Sequence, residues 1–117
     1  SITATSQATA NTAITGNAVT YDGASRYKFE VYSPSVERGT SAIVISVFED
    51  GAAVSDISTT NTAGRQTPAL SLIRIPTNAS HTTTIRAYVD GGTGNINAGT
   101  QTAGTKANAY LRITREI

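Results

Sequence analysis

An all-β domain, a single antiparallel sandwich of about eight strands across residues 1–117, is what this sequence predicts. Three observations lead there: apolar residues recur with period two, Asp-Gly turns punctuate the chain, and no window of three turns combines helical spacing with strong helix formers. Essentially no helix is expected. The length of 117 residues suits one domain, and a hydrophobic share of 38% makes for a thin core.

The clearest strand is Arg26 to Tyr32, with Tyr27, Phe29 and Val31 on one face and Arg26, Lys28 and Glu30 on the other. In Ser41 to Phe48, Ile43, Ile45 and Val47 define an inner face, while Val44 and Phe48 make the opposite face apolar as well, so this strand is expected to be covered on both sides. Further strands are expected at Ala69 to Ile75, Thr82 to Val89 and Ala107 to Thr114. Shorter ones are expected at Ile2 to Ser6, Ala13 to Thr20 and Ala53 to Ser58. Asp22-Gly23, Asp50-Gly51 and Asp90-Gly91 supply residues that tolerate positive φ, with Asp50-Gly51 the strongest hairpin signal. Pro34, Pro68 and Pro76 belong at strand edges or connections, where a missing N–H costs least. Gly91 to Gly104 reads as a long loop with a short strand around Asn95 to Ala98, and its polar residues Thr93, Asn95, Asn97, Thr100 and Gln101 are candidates for contact with a partner. With neither the core Trp nor the Cys pair usual in immunoglobulin domains, a jelly roll is the favoured sandwich.

If Ile85, Ala87 and Val89 point inward, then Thr84, Arg86 and Tyr88 point out. By the same alternation, Ala109, Leu111 and Ile113 inside put Tyr110, Arg112 and Thr114 outside. Tyr32, Val44, Phe48, Arg86, Tyr88, Tyr110 and Arg112 thus make outward faces of a kind enriched where protein surfaces meet, because Tyr and Arg combine contact area with a polar end. These seven are the candidate oligomer interface, most simply around a three-fold axis. The competing reading is ordinary cross-strand Tyr–Arg stacking on an exposed sheet.

A formal charge of +1, with basic residues scattered singly, offers nothing to a phosphate backbone or an anionic membrane. No apolar run is long enough to span a bilayer, and the opening residues lack a signal peptide's basic-then-apolar plan, so a soluble piece, cut from a longer protein or not, is expected. With no Cys, no disulfide or Cys-based zinc site is available.

Chemistry is sparse. His81 is the sole histidine, in a turn leading into a strand, and is read as a surface or turn residue without metal co-ligands. Of the eight carboxylates, Asp22, Asp50 and Asp90 sit in Asp-Gly turns and Glu49-Asp50 are splayed by strand geometry, so neither a glycosidase pair nor a calcium loop is indicated. Gly91-Gly92-Thr93-Gly94 lacks the Lys-Ser or Lys-Thr of a phosphate loop, and no Gly-x-Ser-x-Gly elbow is present. Asn78-Ala79-Ser80 fits the glycosylation pattern, common by chance in a chain rich in Asn, Ser and Thr. The expectation is a non-enzyme with no catalytic, cofactor or metal residues.

The run Asn17-Ala18-Val19-Thr20-Tyr21-Asp22-Gly23-Ala24-Ser25-Arg26-Tyr27-Lys28-Phe29-Glu30 with Ser33-Pro34-Ser35-Val36 resembles small β-domains encoded among bacteriophage structural genes. The same holds for Val47-Phe48-Glu49-Asp50-Gly51, for Ala79 to Ala87 and for Ala109 to Thr114. Those domains are similar to the trimeric jelly rolls of C1q and tumour necrosis factor. The resemblance implies a fibre tip, or a decoration module on a capsid or tail, with a strand-borne aromatic such as Tyr110 or Tyr88 near the three-fold axis. Its partners would be copies of itself, other virion proteins and a bacterial surface glycan or protein. A carbohydrate-binding module and an immunoglobulin-like adhesin or tail domain are the alternatives, separable by glycan binding of the isolated domain and by strand order.

Overall fold

In the computed structural model, which describes residues 1–61, 64–97, 100–101, 104–105 and 108–117, the chain is built almost wholly of strands. Seven strands of six or more residues carry the architecture: β1 (Asn11–Thr20), β2 (Tyr27–Tyr32), β4 (Ile43–Glu49), β5 (Ala52–Thr60), β7 (Ala69–Arg74), β8 (Ser80–Val89) and β12 (Tyr110–Arg115). Shorter ones intervene: β3 (Ser35–Glu37), β6 (Arg65–Gln66), β9 (Asn95–Asn97), β10 (Thr100–Gln101) and β11 (Gly104–Thr105). Among the described residues the one helical element is a 3-10 turn, Gln7–Thr9.

Every pairing is antiparallel. A four-stranded sheet runs β1-β8-β4-β5, a three-stranded sheet β12-β2-β7, a ribbon β6-β3-β9 and a pair β10-β11. The three-stranded sheet lies against the four-stranded one, β12 beside β1 and β7 beside β5, which gives the sandwich. Its inner layer is the one the alternation predicts: Ile43, Ile45 and Val47 of β4, Ile85, Ala87 and Val89 of β8, and Phe29 and Val31 of β2 are buried. Register reinforces it, since Ile45 sits opposite Ala87 and Val47 opposite Ile85. Val31 is flanked by Leu111 and Leu70, and Phe29 by Ile113 and Leu72.

The strand order does not bear out the jelly-roll connectivity. A jelly roll sets its first and last strands side by side in one sheet; here β1 pairs with β8, and β12 lies in the opposite sheet beside β2. β1 is an edge strand whose register against β8 shifts twice, between Thr12 and Ile14 and between Thr15 and Ala18.

The strand expected at Ile2 to Ser6 does not form. Ile2 makes one isolated bridge to Gly94, and the Ala4 carbonyl accepts the Val89 N–H at 2.8 Å. The Asn11 side-chain carbonyl takes the N–H groups of Thr3 and Ala4, at 2.9 and 3.0 Å, that a ladder would have used. The chain then leaves the sheet through the 3-10 turn and lays Gln7 across its outer face, where Nε2 donates to Asp56 Oδ1 at 2.9 Å and to Ser46 Oγ at 3.4 Å.

The Asp50-Gly51 hairpin is as expected: both residues have positive φ, 50° and 83°, the backbone that suits a two-residue turn between twisted strands. After Asp90 the positive φ falls one residue later than expected, at Gly92. Within the expected loop from Gly91 the expected short strand forms over Asn95–Asn97, paired with β3; Ala98 lies outside the described residues, as does Ala107, where the last strand is expected to begin. Pro34 separates β2 from β3 and lets the chain step from the three-stranded sheet into the ribbon.

Ile45→Ala, at the centre of the buried layer, should cost about 2–5 kcal/mol, whereas Thr12→Ser, exposed on β1, should stay within about 0.5 kcal/mol of the parent. Urea denaturation of the two variants checks both.

Candidate functional site

The seven residues expected at an interface divide between the two outer faces of the sandwich. Val44, Phe48, Arg86 and Tyr88 lie on the four-stranded sheet, with Val44 opposite Tyr88. Tyr32, Tyr110 and Arg112 lie on the three-stranded sheet. Sequence alternation says which residues face out, but only the strand order says from which sheet.

On the four-stranded sheet, Val44 and Phe48 are corrected: at 5% and 2% exposure they are covered by this chain and offer nothing to a partner. The Arg86 guanidinium caps the Phe48 ring at 4.4 Å and donates from Nε to Thr84 Oγ1 at 3.1 Å. Tyr88 donates its hydroxyl to Asp56 Oδ2 at 2.7 Å, a bond that, with burial, pushes its pKa up to about 12. Burial alone would raise Asp56, but hydrogen bonds from Tyr88, Gln7 and Ser46 outweigh it and hold the carboxyl below its ordinary range. This face is internally satisfied.

The three-stranded sheet is different. Three cross-strand rows cover its outer side: Tyr110, Tyr32 and Ala69; Arg112, Glu30 and Ser71; Thr114, Lys28 and Ile73. Tyr32 and Tyr110 stack with centroids 5.4 Å apart, and Arg112 lies 5.8 Å from the Tyr110 ring. Glu30 accepts from Arg112 Nε at 2.7 Å and pairs with Lys28 at 3.2 Å, and these contacts, Arg112 first, hold its carboxyl below the usual range. Ile73 and Ile75 are each 52% exposed and Tyr110 is 42% exposed. Among the described residues, every large exposed apolar side chain, Ile117 included, lies on β7 or β12 or within two residues of their ends.

Of the loop candidates, Thr93 and Asn95 are exposed, while backbone pairing sets Asn97 opposite Ser35, Thr100 opposite Thr105 and Gln101 opposite Gly104. Two clefts lie elsewhere. One of about 290 Å³ is lined by Thr59, Thr60, Asn61, Gln66, Thr67 and Pro68, all neutral. The other, of about 210 Å³, lies between β1 and β12 and is lined by Gly16, Asn17, Val19, Leu111 and Ile113.

A third cluster forms at the Asp50 hairpin. His81 Nδ1 lies 2.6 Å from Asp50 Oδ2, and His81 Nε2 lies 2.8 Å from Thr77 Oγ1. Asp50 Oδ1 also accepts the Thr82 N–H at 2.9 Å, the imidazole stacks on buried Tyr21 with centroids 6.0 Å apart, and Glu49, bound by Arg74 at 2.6 Å, stands 4.0 Å from Nδ1. The Asp50 hydrogen bond, with Glu49 nearby, raises the His81 pKa, and the same bond lowers that of Asp50. The periodicity signal cannot pair two residues 31 apart; a lone His two residues beyond a β7–β8 connection and an Asp in a hairpin were the only available hint.

Among the described residues no group of three His, Asp or Glu could hold a metal ion, and no helix is long and apolar enough to cross a membrane. Comparison with known proteins finds no matching protein family, curated protein or solved structure.

The two shifts fix a pH window. The raised His81 pKa contributes stability that is full below the ordinary imidazole value of about 6.5 and is lost as pH rises through the folded value. The lowered Asp50 pKa contributes stability present above about 3.9 and lost as pH falls through its folded value. The parent minus His81→Gln difference in Tm should therefore be largest between about pH 4 and 6.5 and shrink toward pH 9, as thermal melts by circular dichroism would show. A difference that grows with pH would contradict the assignment.

Proposed function

We propose that this chain is a structural module that assembles with copies of itself, as a trimer, through the outer face of the β12-β2-β7 sheet. In that reading it serves as part of a virion, on a capsid or tail, and presents its loops, Thr93 and Asn95 among them, to a host-surface or virion partner. One observation carries the self-assembly: among the described residues, the large apolar side chains left exposed are gathered on one side of the sandwich, at β7 and β12, while the opposite outer face is satisfied by its own chain. Scattered exposed hydrophobics need no explanation, but here a stacked Tyr pair at one end of the face and Ile73 at the other flank an Arg–Glu pair, and Tyr and Arg are residue types enriched where protein surfaces meet.

A shared face also suits the energetics. With 38% hydrophobic residues the chain has a modest core, and joining copies buries apolar area that a monomer leaves wet. Viral membership rests on the sequence resemblance alone.

Sedimentation equilibrium tests the assembly. The parent should sediment at three times 12.1 kDa, and the double variant Tyr110→Ala, Ile73→Ser should fall to the single-chain mass with an unchanged far-ultraviolet spectrum. A parent that remains a 12.1 kDa species at high micromolar concentration would sink the proposal.

A further inference from the structure

Thr77, His81 and Asp50 stand in the relation hydroxyl, imidazole, carboxylate, with contacts of 2.8 Å and 2.6 Å. That is the arrangement in which a base is set against a nucleophile and a third group orients the base. From this geometry we propose that the Thr77 hydroxyl is an acyl acceptor toward activated esters, with His81 as its base and Asp50 as the group that positions the base.

Each member is held for the role. Asp50 is fixed by the hairpin, by its own N–H donated to the Thr82 carbonyl at 2.9 Å and by Oδ1, which accepts the Thr82 N–H. With Oδ2 accepting from Nδ1–H, the neutral imidazole carries its proton on Nδ1 and turns the Nε2 lone pair toward Thr77. The ring cannot swing away, since its side chain is only 12% exposed and one face packs on Tyr21. Thr77 is exposed and follows buried Pro76, so the hydroxyl is presented outward from an anchored turn.

The step balances without any further reagent. Thr77 Oγ1 bonds to the ester carbonyl carbon while its proton passes to His81 Nε2. The bond from that carbon to the leaving oxygen then breaks, the leaving group departs with the electron pair, and the imidazolium returns its proton to the leaving group or to water. The product is a Thr77 ester. Besides Asp50, the groups facing the imidazole are Glu49, which Arg74 neutralises, and the buried Tyr21.

The test is incubation of the intact chain with p-nitrophenyl acetate from pH 6 to 9, followed by peptide mass spectrometry that reads acetylation residue by residue. Thr77 should acetylate about 100-fold faster than the chain's other threonines, with a rate that rises sigmoidally as the imidazole deprotonates. His81→Gln should bring it down to the level of the other threonines, Asp50→Asn should lower it about tenfold or more, and Thr77→Ser should keep it. Thr77→Val, which removes one hydroxyl at constant shape, should abolish the label while leaving the circular dichroism spectrum unchanged. Thr77 labelling no faster than that of other threonines, labelling that persists in His81→Gln, or acetyl found on His81 and not on Thr77 would each overturn the proposal.

Discussion

A strand that is apolar on both faces has to be covered twice, and much of this molecule follows from how β4 meets that demand. Its inner residues Ile43, Ile45 and Val47 require a second sheet, which β12, β2 and β7 supply. Its outer residues Val44, Ser46 and Phe48, all buried, require a cover of their own. The answer is local. The N-terminal segment crosses the sheet and sets Gln7 on Ser46 and Asp56, and neighbouring β8 lends Arg86 to Phe48. Gln7 bonds polar groups and Arg86 caps an apolar ring, so the outer face ends as a polar surface and, among the described residues, leaves the large exposed apolar groups to the other sheet.

What was legible in the sequence was whatever period two determines. The inward and outward faces of β2 and β8 are readable because each alternates over at least six residues, and the double cover of β4 is readable from Val44 and Phe48 alone. The hairpin at Asp50-Gly51 was readable because few residues accept its backbone. At the N-terminus Ile2 and Ala4 alternate as a strand does, and nothing in the alternation warns that the Asn11 side chain takes the N–H groups. Short β3 and β6 were missed because two or three residues carry no period, and their pairing depends on partners far along the chain.

The candidate residues were legible as a set but not as a surface. Outward orientation is a property of one strand; a shared face is a property of strand order, and that order places β8 and β12 in different sheets. The same limit hid the link between Asp50 and His81. Each has an ordinary local reading, as a turn former and a strand-entry residue, and only the hairpin of β4 and β5 folding beside the start of β8 brings imidazole to carboxylate. That contact ties the β4–β5 turn to the β7–β8 connection, at a corner where Arg74 of the opposite sheet also reaches Glu49.

The two register shifts in β1 bear on how such a molecule can grow. β1 is an uncharged ten-residue edge, the kind of strand that in a regular form presents an evenly spaced row of donors and acceptors to any similar strand it meets. Breaking the ladder twice within that length spoils the spacing and the flatness that open-ended stacking needs. Growth along the hydrogen-bonding direction, which has no natural stopping point, is thereby discouraged, and contact through a side-chain face, where rotation about an axis can close on itself, is left as the favoured way for copies to meet.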